Sequence, residues 1–245
     1  MNYQWNWNVF LRQTPTGNET YLDWMLAGIE VTVSLSLTSW LAALVLGILV
    51  GTLRTLPKGI WPRLAIAYVE VFRNIPLLVQ LFIWYFVIPE LLPLSWGKAF
   101  KEISPMCQMI GAAWLCLSLF TSARVAEQVR AGIESLPKGQ RMAGQALGLS
   151  LGQTYRYVLL PTALRVIVPP LTSEFLNIFK NSSVCSTIGL LELAAQGRQL
   201  IDYTAQPYES FAAVTLAYMT INLTVMVLMK KIEVSLCIPG ATGVR

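Results

Sequence analysis

Histidine is absent from the 245-residue chain. That one absence removes Ser-His-Asp and Cys-His nucleophilic catalysis and every imidazole-ligated metal site. Charge is scarce too. Asp, Glu, Lys and Arg make up 13% of the residues, about half of the roughly 25% usual in a soluble domain. Cysteine occurs at Cys107, Cys116, Cys185 and Cys237 with no C-x-x-C pair, so each reads as a small buried apolar group. No G-x-x-x-x-G-K-[ST] run is present, which excludes ATP binding through a phosphate loop. No internal repeat or low-complexity segment is visible. The start, MNYQWNWNVF, is polar and aromatic rather than basic and then apolar, which predicts no cleavable signal peptide.

What is abundant is apolar residue, 55% of the chain, with a mean hydropathy of +0.55. It comes in long blocks, so the chain reads as an all-α integral membrane protein forming one domain over residues 1–245. Five spans are expected, at about 24–53, 64–88, 107–130, 162–180 and 211–229. In the second, the clean apolar part Ile75 to Ile88 is 14 residues, about 21 Å at 1.5 Å per residue. A hydrocarbon core of about 30 Å needs more, so that helix is expected to include Glu70, Arg73, Asn74 and Pro76. Residues 89–106 read as an external loop, and 181–210 as too polar and irregular to cross. The first and fifth spans look like lipid-facing cover. Lys230 and Lys231 are expected to end the fifth.

Basic residues orient the spans. One side collects Arg54, Lys58, Arg63, Arg130, Lys138, Arg141, Arg156, Arg165, Lys230, Lys231 and Arg245; the other has Arg12, Lys98, Lys101 and Arg198. The excess predicts an external N-terminus and a cytoplasmic C-terminus. The net charge of +5 is therefore a topology signal and not a nucleic-acid footprint.

Polar groups inside the spans are costly and therefore informative. Glu70 and Arg73 lie at i, i+3, as do Glu127 and Arg130, and Arg124 and Glu127. The plainer reading is internal ion pairing that holds spans together. Arg124 stands apart because it lies deeper in an apolar run and one Glu must serve two Arg residues. It is a candidate to hold a substrate carboxylate, which guanidinium matches bidentately. Lys180, Asn181, Ser182 and Ser183 close the fourth span and could line the path of an anionic ligand; a snorkelling Lys and a helix-ending loop fit equally. Pro169-Pro170 is expected to break that span. The second, third and fourth spans then look like cavity walls.

The longest basic, polar interval is Leu136 to Pro161. Its inner part, GQRMAGQALGLSLGQTYRYV, reads as a short helix with Pro137 and Pro161 as breakers at its ends. Ala143, Gly144, Ala146, Leu147 and Gly148 would give it a small, closely approachable surface. Such residues lower helix propensity, which makes sense where another surface docks; an ordinary linker helix is the alternative.

Gly148, nine further residues and then Val158-Leu159-Leu160-Pro161 resemble the EAA loop of ABC-importer membrane subunits. Met142-Ala143-Gly144 stands at the EAA triplet, without its Glu and with Gly for the second Ala. Tyr68-Val69-Glu70-Val71-Phe72-Arg73-Asn74-Ile75-Pro76-Leu77-Leu78-Val79-Gln80 is similar to the "YVE-FRGTPLLVQ" segment of polar amino acid ABC permeases. Phe179-Lys180-Asn181-Ser182-Ser183, with Ile188-Gly189 and Glu192-Leu193, is similar to the family's "K-[DN]-[ST]-S…IG…EL" segment. Val87-Ile88-Pro89-Glu90-Leu91-Leu92-Pro93, and Arg124 where many relatives carry Tyr, favour the glutamate/aspartate subgroup.

The resemblance implies the type I importer permease fold, with five transmembrane helices and a cytoplasmic coupling helix. It places the chain in the bacterial inner membrane with a periplasmic N-terminus. Met142, Ala143, Gly144, Ala146, Leu147, Gly148 and Pro161 would couple to an ATPase. Arg124, Glu127, Lys180, Asn181, Ser182, Ser183, Glu70 and Arg73 would line the substrate path. The chain itself would be no enzyme and hold no cofactor. Its partners would be ATPase subunits that bind ATP, a second permease subunit in a heterodimer, a periplasmic amino-acid-binding protein and the bilayer. The cargo would be an acidic amino acid, or else glutamine, histidine or arginine. A secondary transporter would lack the docking loop and usually shows repeats. A membrane enzyme would need a nucleophile–base pair or a metal cluster.

Overall fold

The computed structural model describes residues 3–236, without the side chains of Leu94, Ala99 and Lys101. Cys237 and Arg245 lie outside the described residues. In chain order come a 3-10 turn Trp7–Leu11, α1 Tyr21–Arg54, α2 Ile60–Asn74, α3 Leu77–Phe82, a π-helical turn Ile83–Val87, α4 Ile88–Leu91, α5 Leu94–Glu102 and α6 Pro105–Glu134. Then come α7 Lys138–Ala146, α8 Leu151–Thr154, a second π-helical turn Tyr155–Leu159, α9 Leu160–Asn181, a 3-10 turn Ser182–Ile188, α10 Leu193–Thr204 and α11 Pro207–Leu236. Among the described residues there is no β-strand, only an isolated bridge between Gln13 and Thr20. Four helical stretches are long and apolar enough to cross a membrane, and a fifth crossing exists if α2 and the broken helix after it count as one.

Prolines are where the structure departs most from the sequence reading. The second span is not continuous over 64–88. Ile75 is extended at φ −91°, ψ 129°, and Pro76 caps α3 from outside it. The proline ring crowds the preceding residue out of the α region, so α2 stops at Asn74. Pro161, expected to end a helix, lies within one, and so does Pro89. Each stands two residues after a π-helical turn. The wider turn accommodates the missing N–H and the ring without a break. Pro169 and Pro170 do not break α9 either. The carbonyls they leave without a helical donor are four residues back, on Arg165 and Val166, both exposed positions.

The chain divides into two compact units. Of the described residues, 3–39, 76–117 and 178–224 form one, and 40–75, 118–177 and 225–236 form the other. In the first, Val9, Tyr21, Met25, Leu193 and Leu200 make the core. The polar interval 181–210 folds here as the end of α9, a 3-10 turn, α10 and the start of α11. Its organising residue is Glu192, wholly buried. As N-cap of α10 it accepts from the N–H groups of Ala194 and Ala195 at 3.0 and 2.8 Å, and from the Tyr218 hydroxyl at 2.6 Å. The Leu193 N–H donates to Thr32 Oγ1 of α1 at 3.1 Å. A Cβ on Gly28 would come within 2.9 Å of the Leu193 backbone, so that glycine sets how closely α1 and α10 approach.

In the second unit the same device recurs. Gly47 and Gly51, four apart on α1, face α6. A Cβ at Gly47 would meet Val125 at 2.6 Å, and one at Gly51 would meet the Ala126 carbonyl at 2.6 Å. Val50, Ala65, Val69 and Ala126 form a core beside them. Tyr68 of α2 shares a 2.6 Å hydrogen bond with Ser122 of α6. So α1 is not mere lipid-facing cover. A buried stripe of Gly28, Thr32, Ser36, Ser39, Ala43 and Gly47 runs along it. By contrast α11 is largely exposed in this single chain, and it continues past Lys230 and Lys231 to Leu236. Lysine is a good helix former whose long stem reaches water from the last turns.

The close approach at Gly47 predicts that Gly47→Ala lowers stability by about 1–3 kcal/mol, the usual cost of overpacking. Gly111→Ala, where a Cβ meets nothing within 4 Å, leaves stability unchanged or raises it by up to about 1 kcal/mol. Thermal unfolding of the detergent-solubilised protein checks both.

Candidate coupling loop and intramembrane charges

The basic stretch after α6 is two short helices and a tight joint, not one helix. Pro137 precedes α7 as expected, and its fixed φ of −55° starts the turn. The helix ends with Leu147 as its C-cap. Gly148 follows at φ +80°, in the left-handed region that only glycine enters cheaply. The Leu149 N–H donates to the Gly144 carbonyl at 3.1 Å, and the Gly148 N–H to the Gln145 carbonyl at 3.0 Å. These paired bonds are a Schellman stop. Ser150 then starts α8 with a capping box. Its hydroxyl accepts from the Gln153 N–H at 3.3 Å, and the Gln153 side chain accepts from the Ser150 N–H at 2.8 Å. The S-x-x-Q run after a glycine carried that signal in the sequence, but the single-helix reading passed over it.

The expected small surface is divided by this joint. Gly144 faces inward, where a Cβ would sit 2.9 Å from Thr154. Ala143, Ala146 and Gly148 remain exposed. Beside them Met142 is 65% and Leu147 82% exposed, while Leu149 and Leu151 of the same loop are half-buried. Pro161 lies beyond the joint, within the helical run that continues as α9.

The intramembrane charges pair differently from their sequence spacing. Glu127 is the shared acceptor. Arg54 and Arg130 reach it at 2.5 Å and Arg73 at 3.0 Å. Arg130 also bonds Glu134. Arg73 thus turns to Glu127 rather than to Glu70, which is exposed. The i, i+3 expectation holds for Glu127 with Arg130 but not for Glu70 with Arg73. Arg124 does not join this cluster. It lies 3.9 Å from Glu174 of α9, and its guanidinium sits 4.9 Å from the Phe120 ring centre. The Arg124 side chain stays 44% exposed while Glu174 is nearly buried. Glu174 is the one nearby carboxylate the pairing argument missed, because it is fifty positions away in sequence.

Lys180, Asn181, Ser182 and Ser183 belong to the other unit. Lys180 is exposed and Ser182 buried. The hydroxyls of Ser182 and Ser183 donate to the Phe179 and Lys180 carbonyls at 2.7 Å, so both turn onto their own backbone. No group of three or more metal-ligating side chains exists among the described residues.

Residues 43–236 match the family described as binding-protein-dependent transport system inner membrane component. The glutamate/aspartate import permease protein GltJ of Escherichia coli (strain K12) is 53% identical over 244 residues, 99% of each chain. The glutamine transport system permease protein GlnP of the same strain is 32% identical over 209 residues, 85% of this chain and 91% of that one. Among solved structures, an amino acid ABC transporter crystallised with histidines superposes with a TM-score of 0.71 at 27% identity, covering 87% of this chain and 94% of that one. The inward-facing MetNI methionine ABC transporter gives a TM-score of 0.73 at 21% identity, covering 93% and 100%, a likeness of fold alone. The chain, a multi-pass helical protein with the ABC importer permease fold, therefore belongs to the family of inner membrane components of binding-protein-dependent transport systems.

Proposed function

We propose that this chain is the membrane-spanning permease subunit of an ATP-driven importer for glutamate and aspartate. The observation that carries the reading is 53% identity, over essentially the whole of both chains, to a glutamate/aspartate import permease. The 32% identical glutamine permease keeps a neutral amide cargo as the runner-up. ATP hydrolysis then belongs to a separate subunit, and a periplasmic binding protein delivers the amino acid. A second permease subunit completes the path. The N-terminus is periplasmic, and the loop from Lys138 to Thr154 faces the cytoplasm.

In this reading α7 docks on the ATPase through Met142 and Leu147, whose exposure suits burial in a partner's cleft. The Schellman stop at Gly148 and the capping box at Ser150 make the joint to α8 stiff. A displacement of α7 then passes into α8 and α9 instead of dissipating in a floppy linker. Arg124 is the acceptor site for a cargo carboxylate. Its 3.9 Å approach to Glu174 is longer than a charge-assisted hydrogen bond of about 2.7–2.9 Å, so its donors remain available. Glu174 serves as the resting counter-ion and keeps Arg124 beside α9. Glu127, already shared by three arginines, holds helices together rather than meeting cargo.

Restoring the chain to cells that lack it should restore uptake of labelled glutamate and aspartate but not of glutamine or arginine. Restored glutamine uptake alone would overturn the cargo. Arg124→Ala should lower acidic amino acid uptake about tenfold or more, since a hydrogen bond to a charged group contributes roughly 1.5–3 kcal/mol, with the complex still assembling. Arg124→Lys should fall between. Unchanged uptake would remove Arg124 from the path. Met142→Asp with Leu147→Asp should abolish copurification of the ATPase while leaving the permease's unfolding temperature unchanged. Normal copurification would refute the docking face.

A further inference from the structure

A cavity of about 300 Å³ opens where α1 and α6 end and α7 begins. Its charged lining is three cations, Arg54, Lys138 and Arg141, against one carboxylate, Glu134. Glu134 is already bonded by Arg130. Neither Lys138 nor Arg141 has a carboxylate within ion-pair distance among the described residues. Arg54 pairs with Glu127 at 2.5 Å through one terminal nitrogen and is 88% buried by its 12% side-chain exposure, but its Nε–H is buried with no acceptor. A buried guanidinium donor without an acceptor is costly. The backbone adds to the imbalance, because α7 starts here with no side-chain cap and no acidic residue in its first turn, leaving the positive helix end uncompensated. The remaining wall includes Ile133, Leu136 and Leu159, an apolar edge at the ends of two membrane helices.

We propose that this cavity binds a phosphate group, carried by an anionic phospholipid headgroup or free in solution. A tetrahedral anion has enough acceptors for two guanidinium groups and an ammonium at once. Basic pockets between the ends of membrane helices are where anionic headgroups lodge, and the apolar edge suits the glycerol and acyl portion. An amino acid would present its own ammonium to a wall already rich in cations. The site is separate from Arg124, and its occupancy does not depend on which amino acid is transported.

The test uses the assembled transporter purified in detergent. One arm reconstitutes it in nanodiscs of phosphatidylcholine with phosphatidylglycerol as the minor lipid and reads retained lipid by native mass spectrometry. The other follows the unfolding temperature in inorganic phosphate against chloride at equal ionic strength. Selective retention of phosphatidylglycerol that falls about tenfold per lost charged contact in Lys138→Gln and Arg141→Gln supports the site with a lipid source. A phosphate-dependent rise in unfolding temperature that both substitutions remove supports it with a soluble source. No lipid preference and no phosphate effect, or effects equal in the variants, overturn it. Should the variants fail to assemble, acylation of Lys138 in the unaltered protein decides. Protection by phosphatidylglycerol or phosphate supports the site. Protection conferred by the ATPase subunit alone overturns it, assigning the cavity to an acidic side chain of that partner.

Discussion

A helix surrounded by hydrocarbon gains little by burying leucine, because lipid tails are as apolar as the side chain. What brings such helices together is close backbone approach and satisfied polar groups. This chain relies on both. Gly28 admits α10 to α1, Gly47 and Gly51 admit α6 to α1, and Gly132 admits Ile167 of α9 to α6. The buried face of α1 therefore mixes Gly28, Thr32, Ser36, Ser39, Ala43 and Gly47 with Tyr21, Met25, Leu35, Trp40 and Val50, while Leu41, Val45 and Leu49 are exposed. With apolar side chains on both faces, α1 reads from sequence as lipid-facing cover.

The polar half of that principle appears at Glu127 and Glu192. Each is a carboxylate that the surrounding structure satisfies several times over. Glu127 gathers arginines from α1, α2 and α6, and Glu192 gathers two backbone N–H groups and a tyrosine hydroxyl. A carboxylate with that many donors is a structural anchor, since breaking it would strand buried charge. Arg124 is the contrast. It is held only loosely by Glu174 and an aromatic face, the arrangement of a group with donors in reserve.

The loop between α6 and α9 is stiffened by its own backbone. A helix that stops in a left-handed glycine and restarts in a capping box has its terminal N–H and carbonyl groups accounted for within a few residues. The nine-residue spacing from Gly148 to the Val158-Leu159-Leu160-Pro161 run is the linear trace of that joint followed by one π-helical turn. The turn lets Pro161 sit inside a helix that its ring would otherwise break.

Much was legible in the chain itself. Long apolar blocks and scarce charge determined an all-helical membrane protein, and the motif spacing determined its family. The basic interval between α6 and α9 was also readable, and so was the exclusion of Arg124 from the Glu127 cluster, because both depend on residue type and order along the chain; its approach to Glu174 was not. Which charges pair was decided only in three dimensions. Spacing of i, i+3 offered Arg73 to Glu70, but Glu127 lies within reach of three helices and Glu70 points out. The fate of the prolines was tertiary as well, since Pro76 breaks a helix while Pro89, Pro161, Pro169 and Pro170 do not. A proline's ring and missing N–H are the same at every position. Whether they end a helix depends on whether a π turn can widen ahead of it and where the orphaned carbonyls face, and only the folded chain sets those.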